Sequence, residues 1–206
     1  MPSPLTLYFA PGTCALAVRI ALEEAQAPYQ LQRVDFRARQ QQSARYLALN
    51  PKGRVPVLVT EEGIVLTETP ALLAYIAQRF ASAQLAPTDA VGFARMQEVH
   101  SYLASTVHVA HAHRPRASRW ADEPEAIVAM QTKVPQNMTE CFALIERHYL
   151  QGPWVLGEAY SVTDGYLFTM ASWLESDDVD IGQFPKVQEH FERMAVRSAV
   201  QRALAE

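Results

Sequence analysis

Cysteine is scarce in this chain. Only Cys14 and Cys141 occur in 206 residues, far apart in sequence, so no disulfide framework can be built. Two thiols in a reducing cytoplasm is the expectation. Long hydrophobic runs are also missing: no apolar stretch reaches the roughly 18 residues that a membrane-crossing helix needs. The first residues carry neither the basic stretch nor the apolar core of a secretory signal. Excess charge of one sign is modest, at −4 overall. Residues 1–80 carry eight Lys/Arg against six Asp/Glu, and residues 81–206 carry ten against sixteen. A mildly basic first part suits a small anionic ligand, but it falls far short of the clustered basic face that nucleic acid demands. His-Glu-x-x-His is absent, and no cysteine lies near the histidines, so no metal site is expected. Internal repeats and low-complexity segments are absent as well.

What remains is an ordinary globular balance, 49% apolar and 19% charged, in a length that suits one or two domains. The spacing predicts a strand over Leu5 to Phe9, closed by Pro11-Gly12, and a helix from Cys14 to about Ala25. A second strand runs from Tyr29 to Val34, completing a βαβ unit. A short helix over Ser43 to Leu49 follows. Pro56 to Val59 and Ile64 to Leu66 read as a hairpin turned by Glu61-Glu62-Gly63, and Glu68 to Phe80 as a helix. Residues 81–89 are small, polar and proline-bearing, the composition of a linker. Beyond it the pattern is helical almost throughout: Ala90 to about Ala112, stopped by Pro115, then a helix capped by Asp122 with Pro124 in its first turn. Pro135 is expected to kink or split that helix. Ser161-Val162-Thr163-Asp164 has the form of a capping box, and two shorter helices follow Pro185. Domains of 1–80 and 90–206 follow.

Three segments carry chemistry. Cys14 stands at a helix start, where unpaired N–H groups and the positive end of the dipole favour a thiolate. The null alternative is a small apolar residue filling that start. No second cysteine stands at the resolving position of Cys14-Ala15-Leu16-Ala17, which argues against a dithiol mechanism within one motif. In Asn50-Pro51-Lys52-Gly53-Arg54-Val55-Pro56, Gly53 permits a tight turn and Pro56 opens an edge-type strand. A cis bond there would turn the N–H and C=O of Val55 outward, to pair with another extended peptide. Glu68-Thr69 begins a helix, so Glu68 offers a counter-charge to an ammonium and Thr69 with the helix N–H groups offers donors to a carboxylate. Arg39, Lys52 and Arg54 come from loops flanking the same region. Tyr8 is a competitor for the thiol contact, but Tyr8 and Phe9 must point to opposite faces, and counting back from Cys14 favours Phe9. His100, His108, His111 and His113 crowd the long helix, and His108 and His111, three apart, could share a face.

Together, Pro11-Gly12-Thr13-Cys14, the Asn50 to Pro56 loop and Thr67-Glu68-Thr69-Pro70-Ala71, in this order, resemble the glutathione S-transferase family, most closely its bacterial beta class. The likeness covers the whole chain and implies a thioredoxin-like N-terminal α/β domain with an all-helical C-terminal domain. It further implies Cys14 as the thiol contact, Val55 as the backbone partner of glutathione, Glu68 and Thr69 at its γ-glutamyl head group, and Arg39, Lys52 or Arg54 at its glycyl carboxylate. His108 falls where the class places a histidine near the bound thiol. The implied activity is conjugation of glutathione to a small electrophile held between the domains, in a cytoplasmic homodimer. Tyr102, His108 and Trp120 are candidates for lining the electrophile pocket. A glutathione-dependent thiol-disulfide reductase acting through Cys14, and a non-enzymatic binding protein on the same fold, are the alternatives. The chain departs from the class at Ala15, where serine is common, at Phe9, which matches the first-strand tyrosine, and at Val109, where a lysine often stands. Gly165 also occupies the position that should complete a hydrophobic staple, which predicts a weaker cap.

Overall fold

Alternation along Leu5–Phe9 sets the first strand. Leu5 and Leu7 are fully buried while Thr6 and Tyr8 are half-buried, as expected when successive side chains face opposite sides. The computed structural model describes residues 4–205. They form two units, Met1–Ala86 with Val196–Glu206, and Pro87–Ala195. In the first unit, β1 (Leu5–Phe9), β2 (Tyr29–Arg33), β3 (Val57–Val59) and β4 (Val65–Thr67) make one sheet in the order β2-β1-β3-β4. β1 runs parallel to β2 and antiparallel to β3, and β3 and β4 form the hairpin. Its turn closes through Gly63 N–H to Thr60 C=O, with Gly63 at positive φ.

Helix α1 (Ala15–Glu24) and helix α3 (Thr69–Arg79) pack on each other, burying Ala17, Val18, Ile20, Leu72, Leu73 and Ile76. α2 (Ala44–Leu49), capped by Ser43, lies on the other face, where Tyr46 joins Val34, Val57 and the half-buried Tyr8. α9 (Ser198–Leu204) packs on α1. Residues 196–206, which pattern alone groups with the helical segment, therefore belong to the first unit. The reason is electrostatic as well as apolar. Arg19, only 9% exposed, donates to the C=O of Arg202 and Ala205 at 3.2 and 2.6 Å, and Arg197 forms a two-bond pair with Glu24.

The second unit is helical. α4 (Ala90–Tyr102) continues through a π-helical stretch, Leu103–Val107, into α5 (His108–Ala112), matching the single long helix expected. α6 (Pro124–Leu144) differs from expectation at its start. Its N-cap is Glu123 rather than Asp122, and no side chain caps it. It also runs through Pro135 without splitting, because proline costs it a single backbone bond while Val134 and Met138 beside it are fully buried. α7 (Val162–Ala171) is buried on every side, and α8 (Pro185–Ala195) packs on it. The capping box at Ser161 and Asp164 forms as read, but the cap is not weak. Asp164 is fully buried and accepts from Val155 N–H, Ser161 N–H and His190 Nε2 at 2.8, 2.8 and 3.0 Å. Those partners replace what the missing staple would supply.

Candidate functional site

The loop from Asn50 to Pro56 is the hub of the first unit's site. Gly53 lies at φ +60°, a conformation strained for any side chain, and a Cβ there would also crowd the Gln41 carbonyl at 3.2 Å. Asn50 Nδ2 and Tyr46 Oη both donate to the Arg54 carbonyl at 2.8 Å. Burial and the neighbouring Tyr8 push the Tyr46 phenol up to about 12, so it remains a donor. The Arg54 C=O is thereby fixed, and Val55 is presented in one orientation. The Val55–Pro56 bond is cis. The Val55 C=O accepts from the Cys14 thiol, with Sγ at 3.9 Å, and its N–H has no partner among the described residues.

Cys14 is the N-cap of α1 and 6% exposed. The unpaired N–H groups expected around it are mostly engaged. Thr13 Oγ1 accepts from Ala15 N–H at 3.4 Å, the Thr13 C=O from Leu16 N–H, and the Cys14 C=O from Ala17 N–H. A tight first turn satisfies them. Tyr8 lies on the opposite face of β1, edge-on to Tyr46, whereas the Phe9 ring stands beneath the Arg19 guanidinium of α1. This is the division that strand alternation predicts.

Lys52 reaches from the loop to the start of α3. Its Nζ lies 2.7 Å from Thr67 Oγ1 and 2.5 Å from Glu68 Oε1. Glu68, the N-cap of α3, has φ 73°, a conformation rare outside glycine, and its side chain is 61% exposed. Thr69 is buried at the first helical position. The loop thus connects Cys14, Val55, Lys52, Thr67 and Glu68. Arg54 and Arg39 have exposed side chains, and Arg39 sits in the left-handed region before a short 3₁₀ turn, without a side-chain contact to the others among the described residues.

His108 belongs to the second unit. Its Nε2 lies 3.0 Å from Arg116 Nη2, and its ring meets Trp173 edge-on at 5.1 Å. Trp173 stacks on His111 at 4.3 Å, and His111 Nδ1 lies 2.8 Å from the fully buried Asp177. Arg114 also reaches this segment, donating to the Asp177 C=O at 3.2 Å. Burial pushes the Cys141 thiol up, with the Tyr102 contact opposing, so it stays a protonated apolar residue. Asn50 lies in the Asn50 to Pro56 segment singled out from the sequence. Tyr46, Arg116 and Asp177 carried no local signal, because their partners lie on other elements.

Comparison with known proteins identifies the family. The family model described as Glutathione S-transferase, N-terminal domain, matches residues 3–78, and that described as Glutathione S-transferase, C-terminal domain, matches residues 125–193. Glutathione S-transferase GstA of Escherichia coli O157:H7 is 30% identical over 203 residues, 98% of each chain. A glutathione transferase homolog from Sulfitobacter, crystallised with bound glutathione, is 48% identical, with a TM-score of 0.95 and coverage of 98% and 97%. The bacterial beta class glutathione S-transferase of Sphingomonas chungbukensis is 30% identical, with a TM-score of 0.85 and 97% of each chain covered. With its thioredoxin-like N-terminal part and helical second part, the chain belongs to the glutathione S-transferase family.

Proposed function

We propose that this protein conjugates the glutathione thiol to a small electrophile. The observation that carries the reading is the meeting of Cys14 Sγ and the Val55 backbone at 3.9 Å on a loop that also sends Lys52 to Glu68. Val55 would hold the cysteinyl part of glutathione as an added strand through its N–H and C=O. Glu68 would face the γ-glutamyl ammonium, and Thr69 with the α3 N–H groups the adjacent carboxylate. Lys52, Arg54 and Arg39 supply cations for the glycyl carboxylate. The sulfur then lies at Cys14 and the positive end of α1. Moving a thiol with a usual pKa near 8.5 toward neutrality raises its reactive fraction at pH 7 by roughly tenfold or more. The thiolate forms the new carbon–sulfur bond, and the electron pair of the displaced bond departs with the leaving group. His108 stands as a catalytic candidate on the family resemblance alone.

A second reading is favoured by the same contact. A glutathione strand on Val55 would bring its sulfur to Cys14, so Cys14 can attack a glutathione disulfide, form the mixed disulfide and release glutathione thiolate. Cys14→Ala separates the two. Conjugation of a chlorodinitrobenzene retained within about fivefold, with disulfide reduction lost, supports the transferase with Cys14 as an accessory. Absence of conjugation in the wild-type protein, together with millimolar or weaker glutathione binding, refutes the enzyme reading in favour of a binding protein. The homodimeric state and cytoplasmic location belong to the same proposal. No helix among the described residues is long and apolar enough to cross a membrane.

A further inference from the structure

We infer that the first unit holds a second binding site, on the α2 face of its sheet, for a small monocyclic aromatic carboxylate. A cavity of about 280 Å³ lies there, between α2 and the strands β1 and β2. That volume stands at the small end of ligand pockets, so it suits a single ring and not a peptide. Cys14, Val55, Glu68 and Thr69, the residues placed at the glutathione thiol, backbone and head group, do not line it. All of its walls come from the first unit.

Strand register builds the floor. Tyr8 and Gln32 are partners on the parallel strands β1 and β2, and Val34 follows two residues after Gln32. Alternation therefore turns all three toward the face that α2 covers. From α2, Tyr46 and Leu49 are three residues apart and line the same cavity. Val34 and Tyr46 are buried, and Tyr8 and Leu49 pack against them half-buried. The Tyr8 and Tyr46 rings meet edge-on, with centroids 6.1 Å apart. The floor is thus aliphatic and aromatic, a surface on which a planar ring packs well.

The rim carries charge of one sign. Arg33 and Arg45 line the cavity, and no described Asp or Glu does. Arg45 stands one turn before Leu49 on α2, and its side chain has no ion pair or hydrogen bond with a described residue. A guanidinium presents a planar fork that matches a carboxylate. The Tyr8 hydroxyl likewise makes no hydrogen bond to a described residue. Gln40 Oε1 accepts from Asp35 N–H at 2.9 Å, which leaves the Gln40 NH₂ group as a further donor. Two other polar groups are already engaged: Ser43 Oγ donates to the Gln40 carbonyl, and Tyr46 Oη donates to that of Arg54. A neutral aromatic would leave the Arg45 guanidinium without a counter-charge, and an aliphatic anion would leave the floor uncovered. An aromatic acid meets both.

Calorimetric titration of the full chain with benzoate, benzamide and acetate, each with and without excess glutathione, tests the site. Benzoate should bind saturably, at millimolar or tighter affinity, and glutathione should not displace it. Benzamide, which lacks the charge, and acetate, which lacks the ring, should each bind at least about tenfold more weakly. Amide NMR shifts on adding benzoate should centre on Val34, Tyr46 and Leu49. Arg45→Met should weaken benzoate at least about tenfold. Arg37→Met, a change outside the cavity, should leave it within about twofold, because solvent and salt screen a distant surface charge. Lack of saturable benzoate binding, equal affinity for benzamide, or displacement by glutathione overturns the inference. So do shifts centred on Val55 and Glu68, or unchanged benzoate affinity in Arg45→Met with the fold intact by circular dichroism. None of these readouts needs turnover, so a protein that fails to conjugate refutes the proposed function and leaves this site to be decided on its own.

Discussion

Replacing Asp164 by alanine should be among the most damaging single changes in the second unit. The carboxylate is fully buried at the start of α7, itself buried on all sides. Its Oδ1 accepts from Val155 N–H at 2.8 Å and His190 Nε2 at 3.0 Å, and its Oδ2 from Ser161 N–H at 2.8 Å and Ser161 Oγ at 3.3 Å. Alanine leaves two backbone donors and one imidazole donor without an acceptor, each costing roughly 1–3 kcal/mol. Relaxation recovers part, which leaves about 4 kcal/mol. For a chain of this size that corresponds to a drop in Tm of roughly 8–16 °C. Asp164→Asn keeps the shape but turns one acceptor into a donor toward Ser161 or His190, so about half the loss is expected. Urea unfolding followed by circular dichroism measures both variants. A loss below about 1 kcal/mol for Asp164→Ala, at an unchanged urea dependence, would refute the view that this carboxylate organises the unit.

His100 should make stability acid-sensitive. It is fully buried, with Nε2 3.1 Å from Thr163 Oγ1, and burial holds it down at about 4. The unfolded chain takes up its proton near 6.5 while the folded protein resists until about 4, so stability falls as pH drops through that window, by at most about 3 kcal/mol. His100→Asn, unfolded by heat across the same range, should show a shallower pH slope; parallel curves would count against the assignment. Glu68→Gln should leave stability within about 0.5 kcal/mol, since its pair with Lys52 is 61% and 41% exposed. Calorimetry should show at least about tenfold weaker glutathione binding in that variant. Unchanged affinity would remove Glu68 from the proposed head-group site.

Much of this molecule was legible residue by residue. The alternation of Leu5 and Leu7 with Tyr8, the Gly63 turn, the start of α1 at Cys14 and the Ser161–Asp164 box all act over four residues or fewer. Their geometry follows from backbone sterics and hydrogen bonding that the local residues alone supply. The candidate site was legible to the same extent, because Lys52, Gly53, Val55 and Pro56 lie on one loop and Glu68-Thr69 on one helix start. At Pro135 local rules left two outcomes open, and the helix does not split there, with Val134 and Met138 fully buried beside it.

Sequence by itself determined the elements, their order and the loop on which a peptide ligand could pair. Only the tertiary structure decided that α9 returns to α1 through Arg19, that Tyr46 and Asn50 fix the Arg54 carbonyl, and that Arg116 faces His108. Those contacts depend on how whole elements dock. A side chain's partner then comes from a distant stretch of chain, and no spacing rule along the sequence can name it.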